Sequence, residues 1–239
     1  MTAVDTADPS RLASYANACG VAAAYCLAAP GTAVYPDPQA TTATASYYYG
    51  WGTSYAAPLV SGAAALVWQR YPYFSNDLVR QTLLGTATDI GAAGVDPVFG
   101  NGLLNVGKAV NGPGRLDWGD VSVNVNRLGL DSVWSNDLSG SGGLVKQGVG
   151  ALGLSGRNTY SGATNINAGT LAVSNANGLG TSAGGTTVAS GATLDLQNVA
   201  VTAESVALNG GTLKTSTGSS SLGGDVALGN NSTVDVGGT

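Results

Sequence analysis

Four short segments that begin with threonine recur in the second half of the sequence. Their threonines, at positions 170, 193, 212 and 233, lie 23, 19 and 21 residues apart. Each segment alternates apolar and polar side chains, which is typical of a half-buried strand. A period near 20 residues predicts a solenoid in which each coil stacks on the next. Because no helix-forming stretch lies between the strands, we predict an all-β, right-handed parallel β-helix over residues 134–239 rather than a leucine-rich repeat.

The first half contains a serine between a glycine-bearing turn and an alanine-rich apolar run. The stretch reads Gly52-Thr53-Ser54-Tyr55-Ala56-Ala57-Pro58, and the run Val60–Arg70 predicts a helix that is apolar on nearly every face and therefore buried. Pro58 suits the first helical turn, where a missing N–H removes no bond. Ser54 would then lie at the helix N-terminus, where free N–H groups favour developing negative charge. On these residues alone, Ser54 is either a nucleophile or a helix N-cap.

Other segments predict smaller elements. Strands are expected near Ala3–Asp5 and Val34–Tyr35, and Tyr47–Tyr49 with Trp51 either line a substrate groove or pack internally. Ser75–Asp77 supplies cap chemistry for a helix over Asp77–Leu84. Two further expectations are a short helix or strand over Leu103–Val110 and a domain boundary at Asn111–Gly114.

The charge balance limits the partners. The formal net charge of −5 and pI near 4.4 give no basic surface, so we expect no nucleic-acid partner. We also expect no metal and no cofactor, because histidine is absent and the glycine runs lack a following Lys-Ser/Thr. Asp195, Asp225 and Asp235 occur once per coil and are expected on a solvated face rather than at calcium.

The two cysteines, Cys19 and Cys26, leave two interpretations open. Their spacing permits a small disulfide loop, which fits an oxidising compartment. Alternatively, both are buried thiols that behave as small hydrophobic side chains.

The Ser54 stretch resembles the Gly-Thr-Ser-x-Ala-x-Pro nucleophile motif of the subtilisin-like serine peptidases (subtilases). The similarity extends upstream to Ala29–Gly31, and downstream to Thr86–Gly91 and Gly100–Asn105. Tyr55 replaces the usual methionine, and Leu59 stands where a polar residue or histidine is common. The resemblance implies that residues 1–112 are the C-terminal portion of an incomplete α/β subtilisin-like domain, with Ser54 as the catalytic residue.

Residues 143–173 are similar to the passenger-associated repeat of autotransporters of Gram-negative bacteria. Residues 113–133 would then be a linker with the first strands, and residues 134–239 the first part of a passenger β-helix. The resemblance implies a secreted or cell-surface location and attachment to the outer membrane through a C-terminal barrel that this sequence lacks. It gives no oligomeric state.

The resemblance also implies which catalytic groups are missing. In this family the serine is activated by a histidine that an aspartate orients, and both precede the serine in the chain. The sequence contains no histidine, and Asp5 and Asp8 lie too close to Ser54 to match the upstream aspartate motif. Three lysines are poorly placed as substitutes: Lys108, Lys146 and Lys214.

We therefore predict part of a secreted serine endopeptidase that acts on proteins or peptides and is inactive as this polypeptide alone. The alternative is a non-catalytic β-helical surface or adhesion protein that carries a degenerate peptidase remnant.

Overall fold

The computed structural model describes residues 1–41, 44–126 and 132–237. The chain divides into two compact units: Met1–Val67 with Leu83–Ala109, and Trp68–Thr82 with Val110–Thr239. None of the helices within the described ranges is long and apolar enough to span a membrane.

The first part of the chain mixes short strands and helices. They are β1 (Thr2–Val4), a 3-10 helix (Gly20–Tyr25), β2 (Ala28–Pro30), β3 (Thr32–Pro36), β4 (Tyr47–Trp51), α1 (Thr53–Arg70), α2 (Asn76–Gly85) and α3 (Val106–Ala109). β1 pairs with β2 in parallel, and β3 pairs with β4 as an antiparallel hairpin in which Thr32 lies opposite Trp51. A core cluster of alanines packs where these elements meet: Ala3, Ala13, Ala29 and Ala56. Such small side chains allow the backbones to approach closely.

Helix α1 differs from its prediction in two respects. It begins at Thr53, so Pro58 is its sixth residue and lies beyond the first turn. The prediction of burial on nearly every face is wrong, because only one narrow stripe of the helix is buried. That stripe consists of Ala56, Ala63 and Val67. Large apolar side chains on the other faces are 45–48% exposed, namely Leu59, Leu66 and Trp68.

The second helix confirms the cap chemistry predicted from sequence. Ser75 precedes α2, and its Oγ accepts a hydrogen bond from the Leu78 N–H at 3.1 Å. That bond satisfies one of the four N–H groups that a helix N-terminus leaves unpaired. The final short element is the helix α3, one of the two forms expected there.

The cysteines form a disulfide, Cys19–Cys26, which closes a loop around the 3-10 helix. The Asn101 side-chain amide lies 3.0–3.3 Å from the carbonyl oxygens of Ala23, Ala24 and Cys26. The Asn101 amide therefore joins its own loop to the end of the 3-10 helix and to Cys26. The interpretation as two free thiols is therefore wrong.

Within the described residues, the second part is a parallel β-helix of about six coils. One six-stranded sheet has the order β18-β15-β12-β10-β8-β6, and the other has the order β17-β14-β11-β9-β7-β5. The strands are β5 (Val121–Asn124), β6 (Ser132–Trp134), β7 (Leu144–Gln147), β8 (Ala151–Leu154), β9 (Thr164–Ile166), β10 (Thr170–Val173), β11 (Thr186–Ala189), β12 (Thr193–Gln197), β13 (Ala200–Val201), β14 (Val206–Asn209), β15 (Thr212–Thr217), β16 (Ser221–Leu222), β17 (Val226–Gly229) and β18 (Thr233–Asp235). β13 and β16 form a small third sheet.

The register confirms the repeat. Thr170 pairs with Thr193, Thr193 with Thr212, and Thr212 with Thr233, so the four threonines stack on successive coils. Next to them, Leu171 and Leu194 are fully buried. The side-chain period of two therefore directs one apolar column into the core of the β-helix.

The first coil is closed by aromatic side chains that the sequence did not lead us to expect there. Trp134 is 1% exposed, its Nε1–H donates to the Tyr73 hydroxyl at 3.1 Å, and its ring contacts Phe74 edge to face. The Tyr71 hydroxyl lies 3.0 Å from the Val133 carbonyl oxygen, and burial raises the pKa of Tyr71 to about 12. These rings cover an end of the solenoid, which stacked repeats require.

The expected position of one acidic residue is wrong. Asp195 is buried, and it accepts hydrogen bonds from the Ser216 N–H at 2.9 Å and the Ser216 hydroxyl at 2.6 Å. It thus ties β12 to β15, whereas Asp225 and Asp235 are exposed.

Strand β5 lies within the range predicted as linker and pairs with β7, so it forms part of the first coil.

Candidate active site

Ser54 is the second residue of α1, and its side chain is exposed. The first N–H groups of a helix lack intrahelical partners, and the Ser54 N–H is one of them. Within the described ranges, no hydrogen bond engages the Ser54 hydroxyl, whereas an N-cap side chain precedes the helix and accepts a bond from its first turn. The geometry therefore does not match an N-cap, and Ser54 presents an available hydroxyl beside a free backbone donor.

The local backbone makes the head of α1 electropositive. Aligned peptide dipoles place partial positive charge at the N-terminus of a helix, where an oxyanion is stabilised. Pro58 has no N–H, so the carbonyl of Ser54 lacks the usual bond from four residues ahead. At the start of the helix, the Tyr55 N–H donates to the Gly52 carbonyl at 3.0 Å.

The turn that carries Ser54 is fixed by close backbone contacts. The Gly52 N–H donates to the Gly31 carbonyl at 2.8 Å, and the Tyr15 hydroxyl donates to the same oxygen at 2.8 Å. A Cβ on Gly31 would lie 2.6 Å from the Ala3 Cβ, so only glycine fits there. Gly52 has φ +149°, in the region that favours glycine. Ser54 is thus held by a turn that two glycines make possible.

Tyr55, which replaces the methionine usual in subtilases, packs on the β3–β4 hairpin. Its ring stacks on Tyr35 at 5.9 Å between centroids, and a Cβ on Gly50 would lie 2.3 Å from the Tyr55 hydroxyl. A hydrogen bond with Tyr55 raises the pKa of the Tyr35 phenol. The larger side chain therefore attaches the head of α1 to the hairpin.

The aromatic residues before Ser54 lie on the surface. Tyr47, Tyr49 and Trp51 on β4 are 60–68% exposed, and the rings of Tyr49 and Trp51 lie 6.4 Å apart. This cluster was expected either to line a substrate groove or to pack internally. Side chains that are more than half exposed are not packed internally.

The three lysines considered as replacements for the catalytic histidine lie in α3 and in the β-helix. Lys146 lies in β7 with no exposed surface, and its Nζ donates to the carbonyls of Gln147, Gly148 and Ala168 at 2.9–3.0 Å. Lys214 lies in β15, and Lys108 lies in α3. A lysine held by three carbonyls in the β-helix is not available as a base for Ser54.

A cavity of about 160 Å³ lies near the hairpin, lined by Asp5, Ser14, Tyr15, Thr32 and Tyr49 among others. Ser54 does not line it. Across the described part of the chain, no three His, Cys, Asp or Glu side chains are grouped to hold a metal ion.

Comparison with protein families assigns both parts of the chain. Residues 1–102 match the model of the subtilase family. Residues 144–173 match the model of the passenger-associated transport repeat. The second match lies within β7–β10 of the β-helix.

Three curated relatives are similar to more than half of this chain. The autotransporter lipoprotein NalP of Neisseria meningitidis serogroup B is 48% identical over 157 residues, which cover 65% of this chain and 14% of NalP. An extracellular serine protease of Serratia marcescens is 35% identical over 219 residues, covering 70% of this chain and 21% of the protease. Serotype-specific antigen 1 of Mannheimia haemolytica is 37% identical over 166 residues, covering 66% of this chain and 17% of the antigen.

This chain therefore spans only 14–21% of the length of those relatives. Residues 1–102 belong to the subtilase family, and the chain joins this subtilase segment to a passenger β-helix of the autotransporter type.

Proposed function

We propose that the chain is part of a secreted serine endopeptidase of the subtilase type, with Ser54 as its nucleophile. One observation carries this proposal: Ser54 is exposed at the head of α1, where the first N–H groups of a helix have no intrahelical partner. A nucleophile needs an accessible hydroxyl, and the intermediate it forms needs donors close to the new oxyanion.

The proposed reaction is acyl transfer. The Ser54 oxygen forms a bond to the scissile carbonyl carbon while its proton moves to a histidine, and the carbonyl oxygen takes the negative charge. The Ser54 N–H donates to that oxyanion. The amine then leaves with the proton from the histidine, and water later releases the acyl group.

The histidine must come from chain outside this sequence, since these 239 residues contain none. In subtilisin, loss of the base alone lowers kcat by about 10⁶-fold. We therefore propose that the 239-residue polypeptide is not a competent peptidase, and that a longer polypeptide with an upstream aspartate and histidine is.

The substrates we propose are proteins or peptides that contact the exposed aromatic strand β4. Trp51 lies three residues before Ser54 and is 62% exposed. In the longer active polypeptide, we expect Trp51→Ala to raise KM for a peptide substrate about fivefold, the loss of roughly 1 kcal/mol of contact energy. Tyr25→Ala, at another exposed aromatic, is the matched control. An unchanged KM for Trp51→Ala would contradict this assignment.

The relatives support a location at the surface or outside of a Gram-negative cell, since they are named as an autotransporter and an extracellular protease. We further propose that the peptidase portion extends to residue 112, that the passenger begins within residues 113–133, and that the longer protein is linked to the outer membrane.

Casein hydrolysis by the longer polypeptide tests the proposal. We expect Ser54→Ala to abolish hydrolysis, while Ser61→Ala, at an exposed serine in the middle of the same helix, retains it. We also expect the 239-residue chain to hydrolyse casein no faster than its own Ser54→Ala variant. A longer polypeptide with no Ser54-dependent activity would favour the non-catalytic surface protein instead.

A further inference from the structure

A cavity of about 280 Å³ opens on the side of the β-helix, far along the chain from the subtilase segment. The connections that follow β8, β10 and β12 form its walls. Its lining includes polar and apolar side chains, namely Asn158, Thr181, Thr202 and Glu204, with Leu179 and Val201.

The cavity coincides with a gap in the stacking of these connections. Backbone bonds join the connection after β8 to the one after β10, for example from the Thr181 N–H to the Tyr160 carbonyl at 2.9 Å. They also join the connection after β12 to the next one, through β13 and β16. Within the described residues, no hydrogen bond links 174–183 to 198–204. One edge of β13 therefore faces the gap without a strand partner.

Glu204 places a carboxyl group at this gap. It is 3% exposed, and its Oε1 accepts a hydrogen bond from the Thr186 hydroxyl at 2.7 Å. No lysine or arginine in the described part of the chain forms an ion pair with it. Burial raises the pKa of Glu204, as expected for a carboxyl without a counter-charge. The Thr181 hydroxyl, which also lines the cavity, is buried without a hydrogen-bond partner.

A buried acid beside an open cavity favours a ligand that brings positive charge. Pairing with a cation offsets the cost of removing the carboxylate from water. The apolar walls at Leu179 and Val201 fit a short methylene stem, while the Thr181 hydroxyl can accept a hydrogen bond from an N–H donor.

We propose that this cavity binds an alkylammonium or guanidinium group on a short apolar stem, with Glu204 as its counter-charge. Two sources carry this chemistry: a lysine or arginine side chain of an extended peptide, and a free amine. The unpaired edge of β13 would give the peptide additional main-chain hydrogen bonds.

Titration of the 239-residue chain with n-butylammonium chloride, followed by NMR of backbone amides, tests the proposal. We expect saturable shifts at Thr181 and Glu204, and none with n-butanol or with sodium chloride at the same concentration. Glu204→Gln keeps the acceptor for Thr186 and should weaken binding about tenfold or more, since a charge-assisted bond is lost. Asp225→Asn removes the same charge from an exposed site and should leave binding unchanged.

A second titration, with acetyl-Ala-Lys-Ala-amide, distinguishes the two sources. Tighter binding than n-butylammonium assigns the site to a peptide, and equal binding assigns it to a free amine. Equal affinity in Glu204→Gln and the parent chain would overturn the proposal. If Glu204→Gln does not fold, the parent chain alone still tests the proposal. Equal affinity of the parent chain for n-butanol and for n-butylammonium would overturn the proposal.

Discussion

Lys146 gives the β-helix a pH dependence that can be worked out from its surroundings. Its side chain has no exposed surface, and its ammonium donates to three carbonyls on two successive coils, at 2.9–3.0 Å. Burial lowers the pKa of Lys146 from its ordinary value of 10.5 to about 8. The unfolded chain therefore binds this proton more tightly than the folded chain. Stability from this group rises as the pH increases from about 8 to 10.5.

The difference between the two pKa values sets the size of the effect. At about 1.4 kcal/mol for each pH unit, the difference of roughly 2.5 units corresponds to at most about 3.5 kcal/mol. Lys146→Met removes the titration and leaves three carbonyls without their donor. We expect this variant to be less stable by about 2 kcal/mol at pH 7, with the deficit growing by up to about 3 kcal/mol near pH 10.

Urea unfolding of both proteins from pH 7 to pH 10, followed by circular dichroism, measures this deficit. Tyrosines such as Tyr71, whose pKa burial raises to about 12, titrate in both proteins and cancel in the difference. Lys214→Met, at a partly exposed lysine in β15, is the matched control. A deficit that stays constant across this pH range would refute the reasoning, as would a Lys146→Met protein as stable as the parent.

Two further substitutions test interactions that hold the fold together. Replacing Cys19 and Cys26 with serine opens the short disulfide loop and should lower the free energy of unfolding by about 2–3 kcal/mol. Thermal unfolding under oxidising conditions measures this loss, and an unchanged melting temperature would contradict the prediction. Asp195→Ala leaves the Ser216 N–H without its acceptor and should cost about 2–3 kcal/mol, whereas Asp225→Ala should change stability by less than about 0.5 kcal/mol. Equal effects of the two aspartate substitutions in urea unfolding would contradict the burial of Asp195.

The β-helix was the most predictable part of the fold. Its period comes from one residue type, threonine, at the same position in successive coils, and the structure stacks those residues in register. Local patterning suffices in a solenoid because each coil contacts only its neighbours. The aromatic closure around Trp134 was not predictable in this way, since Tyr71 and Tyr73 are about sixty residues away in sequence.

Helix α1 shows what a local sequence pattern could not predict. Its residues are apolar on nearly every face, and this pattern predicted a buried helix. Burial depends on what packs against each face, which no local pattern contains. The same limit explains why Asp195 was expected in solvent. Its acceptor role involves Ser216 in the next coil, and the local sequence around Asp195 does not show that contact.

The position of Ser54 at the head of a helix followed from the glycine turn and the apolar run. The contacts that hold this turn in place could not be predicted from the sequence. These contacts depend on the approach of Gly31 to Ala3 and on the Tyr15 hydroxyl, which lie far from Ser54 in sequence. Lys146 was expected to be poorly placed as a substitute for histidine, but the sequence did not show that three carbonyls of the β-helix bind its ammonium.

The most direct measurement is covalent labelling with a fluorophosphonate, followed by peptide mapping. A longer polypeptide that supplies the upstream aspartate and histidine should be labelled at Ser54, and the 239-residue chain should remain unlabelled under the same conditions. Labelling of the longer polypeptide at another serine, or its complete absence in a folded sample, would contradict the assignment of Ser54 as the nucleophile.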